Sequence, residues 1–325
     1  MSHHKIDRVR SNPHECQSNR LMKYYPDRHN GIRTMCALLM FGLALTACTR
    51  TWVPVETRVV PSPSASVETP ERSTPTPYEE TSAMTYAVVW VEAEETLVVT
   101  KPAGISGTAV DELAHGQRGI QLTGGSTQLG SSTWVEIYVP GGGIGWVNAW
   151  YLTENVSTSD FCQDTRVNAL LEDFKQALVD EDGELLASLV NPERGLTLRH
   201  DWWNPEVLIA PDMVHGLFSD LSEVDWGVLS GSQFPVRGSF GQIIVTQLKD
   251  VFEISPETAC NQLIIGVTSR PAIWPEGFNN MNFYSFHRPS PEGGNQFDWR
   301  TWTIGIEYVD GQPYLSVMIQ YRGDI

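Results

Sequence analysis

Along the first third of the chain the apolar positions are unevenly spread. Residues 35–45 form one unbroken apolar run, which Lys23, Arg28 and Arg33 precede. The eleven residues are too few to span a bilayer, which needs about 20, and they match the apolar region of an export signal. Residues 49–82 follow with no apolar periodicity, carrying Pro54, Pro61, Pro63, Pro70, Pro75 and Pro77 among Ser, Thr and Glu. Such a segment forms no core and reads as an extended stalk, reaching roughly 100 Å at about 3 Å per residue.

From residue 84 to 155 the pattern changes to short Val-, Ile-, Trp- and Tyr-rich runs at 87–91, 97–100, 119–122, 134–139 and 145–147. Gly124 with Gly125, and Gly141 to Gly143, read as turns between them. This predicts a small all-β barrel. After a short Ser/Thr link the period becomes helical. Val167, Leu170, Leu171, Phe174 and Leu178 recur on one face behind Asp164, a fitting N-cap. Leu185, Leu186, Leu189 and Val190 predict a second helix after Asp182 and Gly183, and Phe240, Ile243, Ile244, Leu248 and Val251 a third over 240–252. The end of the chain alternates as strands do, at 263–268, 282–287, 301–309 and 314–321. Asp310 and Gly311 separate the last two as a hairpin turn.

The expected organisation is therefore a multidomain chain. It comprises a signal over 1–47, with Met22 or Met35 as alternative starts, and a stalk over 48–83. The β-barrel covers 84–155, and an α+β domain, helices first and an antiparallel sheet after, covers 160–325.

Two blocks of residues carry resemblances. Leu45, Thr46, Ala47 and Cys48 resemble the lipobox of bacterial lipoproteins, which implies cleavage before Cys48 and a diacylglycerol thioether on its sulfur, with a further acyl chain on its amine. Several acyl chains anchor a protein stably where one does not. The implied location is the extracytoplasmic face of the cell membrane. Leu97 to Pro102, Leu113 to Gly116, Trp134 to Ile137, and the closing block Gly145, Trp146, Val147, Asn148, Ala149, Trp150, Tyr151 and Leu152 resemble a bacterial SH3 domain. The resemblance implies a module contacting peptidoglycan peptide or a protein partner, with Trp146, Trp150 and Tyr151 as groove residues; the alternative is that Trp146 closes the barrel core. The helix-then-sheet order of the last domain resembles cone-shaped folds of the NTF2-like kind.

Charge narrows the partners. The chain carries a formal net charge of -17, and removing residues 1–47 leaves 15 Lys/Arg against 36 Asp/Glu, or -21. Nucleic acid is thereby disfavoured, and membrane attachment must come from the lipid rather than from a basic surface.

Of five cysteines, Cys16 and Cys36 leave with the signal and Cys48 is acylated. Cys162 and Cys260 remain, in an oxidising compartment, as a disulfide or as two buried thiols. Cys162 lacks the context of a peptidase nucleophile. His-Glu-x-x-His, Gly-x-Ser-x-Gly and phosphate-loop motifs are all missing, so no cofactor or metal is implied.

What remains are His200 with Asp201, His215, and His287 with Arg288, among Trp202, Trp203, Trp274, Trp299 and Trp302. A hydrolase would use His200 or His287 as general base, Asp201 or Asp298 as its orienting carboxylate, and Arg300 to stabilise a developing anion. The other readings are packing of these residues, or a tryptophan-lined pocket for a small molecule or glycan. The leading expectation is a non-enzymatic envelope protein with a ligand-binding α+β domain; a cell-wall or polymer hydrolase is the alternative.

Overall fold

A computed structural model of the chain describes residues 84–323 apart from Arg270. The expected export signal, the Cys48 lipid site and the stalk lie outside the described residues. The first eight strands are β1 (Tyr86–Val88), β2 (Thr96–Lys101), β3 (Thr108–Ala114), β4 (Arg118–Ile120), β5 (Leu122–Leu129), β6 (Ser132–Tyr138), β7 (Ile144–Asn148) and β8 (Leu152–Glu154). They make a five-stranded sheet in the order β3-β2-β7-β6-β5 and a three-stranded sheet β4-β1-β8. Period-two alternation turns Leu97, Val99, Leu113, Ile137 and Val147 into a shared core with Val88, Val91, Ile120 and Leu152. Gly145 lies where any β-carbon would collide with Val99. Gly142 and Gly143 have φ of +100° and +90° in a tight turn, as their sequence suggests. Gly124 and Gly125 do not make a turn; they lie inside β5, where the register with β6 slips.

The second part begins with α1 (Thr158–Gln163), α2 (Thr165–Asp180) and α3 (Gly183–Leu189). Asp164 caps α2 through the Arg166 N–H at 2.9 Å, and Val167, Leu170, Leu171, Phe174, Ala177 and Leu178 are the buried face. Asp182 caps α3 through the Leu185 N–H. The strands β9 (Leu196–Arg199) and β10 (Val207–Ile209) precede a separate hairpin of β11 (Val224–Val228) and β12 (Pro235–Gly238). The third expected helix starts as a π turn over Gly241–Val245 and continues as α4 (Thr246–Phe252).

Finally come β13 (Glu257–Cys260), β14 (Asn282–Arg288), β15 (Arg300–Val309) and β16 (Gln312–Arg322), in a six-stranded sheet ordered β10-β9-β16-β15-β14-β13. Asp310 and Gly311, with φ of +51° and +72°, join β15 to β16 as a two-residue hairpin with Val309 paired to Gln312. Two expectations fail. Residues 263–268 are not a strand, and the sheet is not wholly antiparallel, because β9 runs parallel to β16 with Ile319 opposite Arg199. That pairing joins segments more than a hundred residues apart, which no local pattern announces.

The sheet is covered on both faces. Phe286, Trp302, Ile304 and Met318 pack with α2, α3 and α4, while Phe283, Val317, Ile319, Tyr321 and Trp299 pack with Phe278, Met281 and, from the first part of the chain, Val89. The first eight strands are thus not a bead on a flexible link, and both parts belong to one compact unit. Asn280 Nδ2 donates to Val88 O at 2.7 Å, the Trp90 N–H to Gly277 O at 2.6 Å, and the Gly311 N–H to the Glu154 carboxylate at 3.1 Å. The Cys162 and Cys260 sulfurs lie at bonding distance, Cα atoms 5.9 Å apart, between α1 and β13.

Candidate functional site

Strand register places two polar-containing rows on the helix-covered face of the sheet. Trp302 of β15 pairs with Phe286 of β14 and Gln320 of β16, and one position past the Ile319–Arg199 pair His200 continues that row. In the next row Arg288, Arg300 and Arg322 are direct register partners. Above them α4 presents Gln247 and Asp250 on the side that its apolar residues Leu248 and Val251 also use for burial. Gln247 Nε2 lies 2.9 Å from His200 Nε2, the Trp302 indole N–H donates to Gln247 O at 3.2 Å, and Asp250 pairs with Arg300 and, at 3.3 Å, with Arg288.

The orientation of the Gln247 amide sets the histidine's tautomer. An amide NH2 only donates, so His200 Nε2 accepts and the neutral ring carries its proton on Nδ1. Burial first, then the charges of Arg322 and Arg300, lower the His200 pKa from 6.5 to about 4, so the ring is neutral at physiological pH. The arginines are matched by carboxylates: Arg288 also meets Asp298 at 3.2 Å, and Arg322 Nε donates to Asp201 at 3.0 Å.

Several polar atoms here are unsatisfied. Those without a hydrogen-bond partner are His200 Nδ1, Gln247 Oε1, both amide atoms of Gln320, Nη2 of Arg322, and Nε of Arg288, which has only its ion pair with Asp250. Gln320 is 0% and His200 1% exposed, so water outside does not satisfy them. An unsatisfied buried polar group costs about 1–3 kcal/mol, and a native structure that concentrates several of them in one row invites a functional explanation.

The expected site residues divide between the two faces of the sheet. His200, Asp201 and Arg300 gather at this row. His287 sits on the opposite face, where its Nδ1–H donates to Thr301 Oγ1 at 2.8 Å, that hydroxyl in turn donating to Ile264 O. Burial lowers the His287 pKa as well, with Arg288 adding to the effect and Glu257 opposing it. Asp298 holds Arg288, and His215 is exposed in the 3₁₀ turn Pro211–Gly216.

The tryptophans do not form one lining. Trp299 and Trp302 are buried on opposite faces, and Trp274 stacks on Phe283 with ring centres 4.3 Å apart. In the first part, Trp146 of β7 is half-buried and lies outside the apolar core that its neighbour Val147 joins. Trp150 lies 6.2 Å from Trp90, and the Arg194 guanidinium sits 5.4 Å over its ring; Tyr151 packs against the apolar core of the first eight strands. Gln247, Gln320 and Arg322 were not expected from sequence. The one available signal was Gln320 standing at an inward position of the apolar run 315–321.

Among the described residues no group of three or more His, Cys, Asp and Glu is arranged to hold a metal, and no helix is long and apolar enough to cross a membrane. Comparisons with family models, curated proteins and solved structures return no match.

Proposed function

We propose that this is a lipid-anchored protein of the bacterial cell envelope, held outside the membrane through Cys48 and a stalk, whose α+β region binds a small ligand at the polar row beneath α4. One observation carries the ligand-binding part: buried polar atoms of His200, Gln247, Gln320 and Arg322 without hydrogen-bond partners fall in adjacent rows of the sheet beneath α4. The anchor rests on the charged segment, apolar run and lipobox-like ending at Cys48. The β region is an SH3-like module in this reading, and it contacts cell-wall peptide or a protein partner through a surface other than the Trp150 face, which Trp90 and Arg194 occupy.

Binding is preferred to hydrolysis on geometry. The two candidate bases, His200 and His287, lie on opposite faces of the sheet, and a His200 ring neutral down to about pH 4 has little basicity to offer a reaction at neutral pH. The experiment that tests the location is metabolic labelling with radioactive palmitate in a bacterial host. The full chain is expected to take up label into the membrane fraction and Cys48→Ser to take up none; an unlabelled, soluble wild-type protein would remove the anchor from the account.

A further inference from the structure

We propose that the row beneath α4 receives a neutral group bearing both hydrogen-bond donors and acceptors, a primary amide or paired hydroxyls, rather than an ion. This rests on the reading that the α+β region binds a ligand there. Charge balance is the first argument. Arg288, Arg300 and Arg322 are opposed by Asp201, Asp250 and Asp298, each within ion-pair distance of at least one of them. An added carboxylate or ammonium would therefore be a buried charge without a counter-charge of its own, and interiors tolerate that poorly. The second argument is the inventory of free valences. His200 Nδ1–H, Gln320 Nε2 and Arg322 Nη2 donate, while Gln247 Oε1 and Gln320 Oε1 accept. An anion would use only the donors and leave both amide oxygens unsatisfied, whereas an amide or a diol meets both kinds.

None of these atoms reaches solvent, and α4 lies over the row through Gln247, so a ligand would enter by displacing that helix. The helix is tied to the sheet by Gln247 on His200 and by Asp250 on Arg300 and Arg288, and the Asp250 and Arg300 side chains are partly exposed at 40% and 31%. The rim thus opens by separating ion pairs that water already reaches, and the π turn ahead of α4 is the kind of irregularity found at functional sites.

Acetamide and acetate are nearly isosteric and differ in charge, which makes them suitable probes. Each is titrated into the exported chain carrying Cys48→Ser while the side-chain amide NMR signals of Gln247 and Gln320 are followed. Acetamide is expected to move both signals saturably, and Gln320→Leu to weaken it about tenfold, the equivalent of about 1.4 kcal/mol. Ethylene glycol in a further arm separates hydroxyl from amide recognition. Tighter binding of acetate would overturn the neutral-ligand proposal while leaving a binding site in place. If no probe moves either signal and the amides show contact with bound water alone, the proposal and the ligand-binding reading fall together.

Discussion

Replacing Arg194 with methionine probes how the two parts of the molecule are held together. The side chain is 7% exposed, its Nε lies 3.5 Å from the Glu307 carboxylate, itself 2% exposed, and one of its terminal nitrogens donates to Leu152 O. Its guanidinium stands 5.4 Å from the Trp150 ring centre and 6.0 Å from that of Trp90. Trp90 in turn holds φ at +63°, a left-handed conformation that costs a bulky residue roughly 1–2 kcal/mol and that the junction contacts must offset. Methionine keeps most of the apolar stem but leaves Glu307 buried without its cation, so the expected loss is about 3–5 kcal/mol. For a unit of this size that corresponds to a melting temperature lower by roughly 6–20 °C. Urea unfolding followed by tryptophan fluorescence reads it directly, since Trp90 and Trp150 report on the junction and Trp299 and Trp302 on the sheet. Arg194→Met with Glu307→Gln should recover much of the loss, because the stranded charge is then gone. A single-variant loss below about 1 kcal/mol, or a double variant no better than the single, would refute the reasoning.

Stability should fall as pH drops from 6.5 toward 4, because the unfolded chain binds a proton on His200 near 6.5 while the folded chain resists it down to about 4. In urea midpoints measured across that window, His200→Gln should show a visibly shallower fall; an unchanged slope would remove His200 as the cause. Intact mass under non-reducing conditions should be lower by about 2 Da than after reduction, as Cys162 and Cys260 lose two hydrogens when they bond. Replacing both with serine should cost about 2–5 kcal/mol, given the 98-residue separation they close, and an unaltered urea midpoint would argue against the bond.

Local signals were legible where local physics decides. Asp164 before an i, i+3, i+4 apolar series made α2 readable, and Asp310 with Gly311 marked a hairpin because both residues tolerate positive φ. Residues 263–268 misled for a definite reason. Leu263 and Ile265 are apolar because they cover the sheet's second face, yet the backbone there serves side chains, with Ile264 O accepting from Thr301 and Val267 O from Trp299. Apolar patterning reported the burial correctly and said nothing about the absence of a ladder. The parallel β9–β16 pairing was illegible for a different reason, and the candidate site depends on it. Only that register sets His200 beside Gln320, and only α4 crossing above brings Gln247 to His200 and Trp302. His200 could be singled out in sequence as a titratable residue, whereas Gln247 and Gln320 acquire meaning from being buried without partners.

If the row beneath α4 is built for something other than packing, Gln320→Leu in the ligand-free protein should show it. Both amide atoms of Gln320 are buried and unpartnered, so leucine should raise the urea-unfolding stability by about 1–3 kcal/mol. A loss of similar size would mean that the Gln320 amide is satisfied within the fold, and would contradict the claim.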